Sequence, residues 1–281
     1  MTDNPLQPFR SIMHPTDFSS SSEFAFDHAL RIALSGKAKL HLLHVGHDDP
    51  EFTDWTGFPG VRKTLTTWGL LPEGTEREDV AKQLGIYVSK IEMVDRGAVR
   101  GILRYLEQHP TDLVVLATHG RHGLPRWLQG SVAEPVARQS SASTLCIRQG
   151  ARGFVLADTG EVRLRQVLVP VDHKPRPGPA TEAAWQLAGL LGVGDAVLHL
   201  LYVGDADDMP AVTAPGSAHV ERHCRSGEVV GEILAAAAEL EPDLIAMASA
   251  GRTGFLDEIR GSTTERVLRD APCPVLVVPV V

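Results

Sequence analysis

Residues 117–131 read Ala-Thr-His-Gly-Arg-His-Gly-Leu-Pro-Arg-Trp-Leu-Gln-Gly-Ser, and residues 248–262 read Ala-Ser-Ala-Gly-Arg-Thr-Gly-Phe-Leu-Asp-Glu-Ile-Arg-Gly-Ser. Nine residues separate Gly120 from Gly130, and the same number separate Gly251 from Gly261. Each stretch follows an apolar run opened by an acid, Asp112 to Ala117 and Asp243 to Ala248. A buried strand, a glycine loop and a helix opening at Gly-Ser together make a cradle for phosphate. Glycine frees backbone N–H groups to point inward, and a helix N-terminus contributes roughly half a positive charge. No Gly-Lys-Ser/Thr follows, so this is not a Walker A loop, and a Gly-x-Gly-x-x-Gly dinucleotide fingerprint is missing as well.

The same residues allow a plainer reading. Ser131 with Glu134, and Ser262 with Glu265, fit the Ser-x-x-Glu capping box, which would explain the serine and the acid but not the glycines at fixed distance upstream. Pro135, counted from a Ser131 cap, removes an early helix hydrogen bond. Asp17 and Asp172 each follow the first strand of a copy, at the carboxyl edge where ligands sit in open parallel sheets. There a carboxylate can accept from a base amino group or a ribose hydroxyl, or merely favour the local helix dipole. Neither aspartate has the neighbouring acids of a phosphoacceptor site. No nucleophile–base pair can be argued, since Ser131 has no base beside it.

Two cradles imply a duplicated chain. The first copy opens on a strand ending Ile12-Met-His-Pro-Thr-Asp17, and a serine cluster then caps a helix stopped by Gly36. Strands follow at 39–45, 86–94, 112–117 and 144–148, with a helix at 97–109. The second copy repeats the order with strands at 167–172, 196–203, 243–248 and 274–279 and helices near 181–191 and 227–240. Alternating strands and helices imply two tandem doubly wound five-stranded parallel-sheet α/β domains, Rossmann-like, with right-handed crossovers. The expected division is residues 1–149, a hairpin linker at 150–164 around Asp158-Thr-Gly160, and residues 165–281. His41 to Gly97 spans 56 residues and His199 to Gly227 only 28. The second domain is therefore expected to lack one crossover helix.

Of the 281 residues 43% are hydrophobic and 22% charged, as in an ordinary globular chain. A net charge of −8 argues against a nucleic-acid surface. Neither a signal peptide nor a membrane-length apolar run is recognised, and three cysteines without a Cys-x-x-Cys pair fit a reduced, cytoplasmic setting. Among twelve histidines, His41 and His44 have opposite strand parity, and His119 and His122 lie in the loop, flanking phosphates or solvent. His219, Glu221 and His223 share one strand face. They are read as a polar, half-exposed face, with zinc as the alternative and His199 on the neighbouring strand as a fourth ligand only if its side chain shares the face. Aligned backwards from the following glycine, they occupy the positions of Ser89, Ile91 and Met93. The lost helix is therefore expected to have covered this face.

The Pro-x-Asp-x-Ser segment at Pro15 to Ser19, His41-x-x-His44-Val45, and Gly-x9-Gly-Ser in each copy resemble the universal stress protein family in its tandem form. The resemblance covers residues ~8–149 and ~165–281. It implies an adenine nucleotide, ATP with or without magnesium, held by the first-strand aspartate, by main chain after strand two, and by the glycine loop. Carried over, these are Asp17, Val45, Gly120, Arg121, Gly123, Gly130, Ser131 and Val132 in the first copy. In the second they are Asp172, Val203, Gly251, Gly261, Ser262 and Thr263. The family's leading loop glycine is replaced by Ala117 and Ala248, and Asp257 and Glu258 place like charges in the second loop, so the first site is expected to be the better pocket. The resemblance implies a regulatory or stress-response role, with internal domain pairing through the last strands of the two copies and a homodimer as a further option. A nucleotide-free scaffold binding a protein partner, and slow ATP hydrolysis or self-phosphorylation, are the alternatives.

Overall fold

The computed structural model describes residues 9–46, 55, 58, 60–118, 132–250 and 263–280. Ten strands form one sheet. In the first half these are β1 (Ser11–Thr16), β2 (Lys39–Gly46), β3 (Tyr87–Val94), β4 (Leu113–Ala117) and β5 (Ser143–Ile147). In the second they are β6 (Gln166–Pro170), β7 (Val197–Val203), β8 (His219–Arg225), β9 (Leu244–Ser249) and β10 (Val275–Pro279). The order is β3-β2-β1-β4-β5-β10-β9-β6-β7-β8, so each half has the same internal order. All pairings are parallel except β5 with β10, where Thr144, Leu145 and Cys146 face Val277, Leu276 and Val275. The last strands of the two copies thus meet across a pseudo-two-fold, as the resemblance implies.

Helices cover both faces. On one face lie α1 (Ser20–Gly36), α2 (Val61–Thr67), α3 (Arg77–Leu84) and α6 (Gly178–Leu190), packed over Leu40, Leu42, Val115, Val169, Leu198 and Leu200. On the other lie α4 (Ala98–Gln108), α5 (Ala133–Gln139), α7 (Val229–Leu240) and α8 (Thr263–Asp270), packed over Met13, Leu43, Val114, Leu168, Ile245 and Val277. The near-continuous apolar runs of β4, β6 and β10 follow from burial on both sides.

Three local expectations need correction. Helix α1 does start at a Ser19 cap, whose side chain accepts from Ser22 N, but it runs through Gly36 and is closed by Lys37 in the left-handed region. Helix α5 is capped at Val132 with no side-chain cap bond, one residue later than a Ser131 capping box requires. Pro135 supplies the reason. The fifth residue of a capped helix must donate its N–H to the cap carbonyl, and Val136 does so to Val132 O at 3.0 Å. With a Ser131 cap that donor would be Pro135, which has none. The proline costs nothing where the helix starts, because the first-turn N–H groups lack intrahelical partners anyway.

The third concerns the crossover. Residues 60–86 of the first half carry two short helices, α2 and α3, and their Leu65, Trp68, Leu71 and Val80 join the α1 side of the core. The second half has only a 3-10 turn at Ala206–Asp208. That face is not bare, however. Val212 is 6% exposed, and Met209 and Ala218 also pack on it. Ile91 and Met93 pack on the opposite, α4 side. The face bearing His219, Glu221 and His223 is therefore not the one that lost its helix.

The segment joining the halves is a docked hairpin. Val155 bridges Val162 in antiparallel fashion, and Leu156 N donates to Glu161 O at 2.9 Å. Phe154 is fully buried. Phe154 N and Val155 N both donate to His28 Nε2 on α1, at 3.1 and 3.2 Å. Trp68 Nε1 donates to Ala157 O at 2.9 Å, and the Trp68 ring lies so close to Gly160 that a Cβ there would fall 2.4 Å from it.

Candidate functional site

In each half the chain turns from one side of the sheet to the other between the first strand and the fourth, so a crevice opens at the carboxyl ends of β1 and β4, and of β6 and β9. The second-half crevice holds a cavity of about 340 Å³. Asp172, Tyr202, Val203, Ala248 and Thr263 are among the residues lining it, with Lys174 and Arg138 bringing cations. Its size falls at the small end of the range for ligand pockets, ~300–1,000 Å³. Gly120, Arg121, Gly123, Gly130, Ser131, Gly251, Gly261 and Ser262, together with His119, His122, Asp257 and Glu258, lie outside the described residues. Val132 caps α5, and Thr263 is the first residue of α8.

Main-chain parity places the residues after strand two. In a parallel strand the N–H and C=O of one residue point to the same neighbour, and successive residues alternate. Lys39 N donates to Arg10 O, on the β1 side, whereas Asp95 N donates to Gly46 O, on the β3 side. Val45 therefore directs its N–H and C=O toward β1, whose last paired residue, Thr16, lies opposite His44. The second half repeats this. Val197 N donates to Arg165 O and Gly204 N to Arg225 O, so Val203 points toward β6, beyond the final Pro170–Leu201 pair. The Thr16–His44 pair engages the Val45 N–H with Thr16 O and leaves its carbonyl toward the crevice, whereas Val203, beyond the last β6–β7 pair, turns both its amide and its carbonyl there. Gly101 on α4 lets that helix close on Val45, since a Cβ there would fall 2.6 Å from Val45 Cγ1.

The two aspartates differ in what they already hold. Asp17 Oδ1 accepts from Ser19 N at 3.1 Å and from Ser19 Oγ at 2.6 Å, so it braces the cap of α1. Asp172 is exposed, and its Oδ1 accepts only the next amide, His173 N, at 2.6 Å among the described bonds. Phe18 follows Asp17 at φ 60, with its ring centroid 4.5 Å from that of His44 and 5.1 Å from that of Trp55. His41 and His44 do face opposite ways. His41 Nδ1 meets Tyr105 Oη at 2.7 Å on the α4 side, while His44 Nδ1 donates to Thr16 O at 2.9 Å.

Outside the crevices, the structure groups His199 with Glu221 and His223 rather than the three β8 residues alone. His219 is the outlying member, with its Nε2 3.5 Å from Glu221 Oε1. Sequence parity put three residues on one face and left His199 conditional on sharing it; the β7–β8 register, which sets His199 opposite Glu221, meets that condition. Burial holds the His199 imidazolium below the usual histidine range, with the Glu221 carboxylate opposing. Cys146 and Cys273 are buried, and burial pushes both thiols up, so neither is poised as a nucleophile. Among the described residues no helix is long and apolar enough to cross a membrane.

The model of the Universal stress protein family matches residues 8–148 and 210–279. Universal stress protein Mb2028c of Mycobacterium bovis is 26% identical over 243 residues, covering 75% of this chain and 79% of that one. The crystal structure of a universal stress protein from Archaeoglobus fulgidus DSM 4304 aligns with a TM-score of 0.61 at 22% identity, over 96% of this chain and 98% of its own, and so has the same fold in both halves. A universal stress protein solved in complex with cAMP aligns at 25% identity and a TM-score of 0.34 over 50% of this chain and 97% of its own. With the family model matched in both halves, the chain belongs to the universal stress protein family.

Proposed function

We propose that the chain binds an adenine nucleotide in these crevices and acts through that binding as a regulatory factor rather than as a dedicated enzyme. The observation that carries the reading is the aim of Val203, whose amide and carbonyl face the second crevice that it lines. An adenine edge presents a ring acceptor beside an amino donor, and an amide with a carbonyl from one residue is complementary to it. Asp172, with most of its hydrogen-bonding capacity open, is placed for a ribose hydroxyl or the base amino group. The phosphates would extend toward the glycine loops and the starts of α5 and α8, where helix N-termini favour anions. The Lys174 and Arg138 side chains add positive charge around the second crevice.

Calorimetric titration of the purified chain with ATP and magnesium tests this. Saturable binding is expected. Gly130→Val should remove the tighter component and Gly261→Val the weaker, because Asp257 and Glu258 burden only the second loop. Equal losses would overturn the ranking of the two sites. No saturable heat in the wild type would overturn the reading and leave the nucleotide-free scaffold.

A further inference from the structure

We propose that His199 Nδ1, His223 Nε2 and Glu221 Oε2 form a site for one tetrahedral transition-metal ion of the zinc class, on the α7 side of the β7–β8 edge. Zinc bonds of about 2.0–2.2 Å arranged tetrahedrally put neighbouring donor atoms about 3.3–3.5 Å apart. The three donor atoms are separated by 3.1 Å (His199 to His223), 3.3 Å (His199 to Glu221) and 3.9 Å (His223 to Glu221). They already outline one face of such a tetrahedron, and small rotamer shifts would complete it.

The surroundings suit the site. His199 is 5% exposed and held from behind, its Nε2 lying 2.6 Å from Gln166 Oε1. An amide oxygen can only accept, so Nε2 carries the proton and Nδ1 turns its lone pair to the cluster. This is the outer hydrogen bond that orients a metal-binding histidine. Without a metal, the short His199–His223 contact needs a proton from His223 Nε2, and a metal ion would replace that proton. Glu221 and His223 are partly exposed, so the fourth vertex opens to water. Parity excludes Cys224, whose Sγ turns to Met209 on the opposite face. A bound ion would fasten the edge strand β8 to β7. The set lies in the second half only, since His41 pairs there with Ser89, and nothing in it depends on the crevices.

The full-length chain, stripped with a chelator and then dialysed against zinc, should retain one zinc per molecule by elemental analysis. His223→Ala and Glu221→Gln should each abolish that retention. Gln166→Ala should weaken binding about 10–100-fold while leaving the ligands in place. His219→Ala, outside the proposed set, should keep the metal. Zinc should raise the melting temperature of the wild type but not of His223→Ala, and cobalt should give the intense visible absorption of a tetrahedral complex. No retained zinc in the wild type, or retention unchanged in both His223→Ala and Glu221→Gln, would show that the cluster is a solvated strand face.

Discussion

His28→Leu is expected to destabilise the chain by about 2–5 kcal/mol, because it leaves two buried backbone donors, Phe154 N and Val155 N, without an acceptor. Leucine keeps most of the volume, so cavity formation contributes little. The substitution should also change how stability depends on pH. Burial lowers His14 and His28 from 6.5 to about 4, and raises Asp27 from 3.8 to about 7. Between pH 6.5 and 4 the unfolded chain carries a proton on each histidine that the folded chain lacks. The folded chain carries one on Asp27 that the unfolded chain lacks. The unfolded state thus binds one more proton from these three groups, and stability should fall by about 1.4 kcal/mol per pH unit on acidification. Removing His28 balances the count and should flatten that slope. Urea denaturation of both proteins across this range measures it. A slope unchanged in His28→Leu would mean that His28 is not held neutral in the fold.

The second large effect is expected from separating the halves. Residues 1–150 expressed alone would expose the apolar β5 edge, with Leu145 and Cys146 stripped of Leu276 and Val275. The fragment would also lose Phe154 from the core and the two donors that satisfy His28. An open apolar edge recruits another strand. Size exclusion with light scattering should find the fragment self-associated or precipitated. A monomer that melts at the temperature of the full chain would show that the β5–β10 pairing contributes little.

Much of this architecture could be read from the chain itself. The duplication, both strand sets, and the opposite faces of His41 and His44 follow from apolar periodicity and from motifs that occur twice, whereas the docking of the last strands is what the family resemblance implies. What escaped depends on register or on contacts distant in sequence. Parity within β8 places His219, Glu221 and His223 together. Whether His199 shares that face waits on the pairing of β7 with β8, and only the packing of Ile91 and Met93 on the α4 side shows which side of the sheet this is. His28 looks like any polar residue of an amphipathic helix, and the two donors its Nε2 satisfies lie 126 and 127 residues away. The start of α5 was within reach, since Pro135 forbids a Ser131 cap, but the serine is the stronger local signal and points one residue too early.

Joining the two copies in one polypeptide frees each to change alone. In an isologous pair of identical chains every substitution appears twice, and both copies must tolerate it. Here His28 can serve the linker although no second linker exists for a mate. Asp172 can shed the bracing role that Asp17 keeps, and β8 can carry Glu221 and His223 where the strand pairing puts Ser89 and Ile91 on β3. The pairing between β5 and β10 preserves the symmetry of the assembly, while the covalent link removes the requirement that its two sides evolve in step.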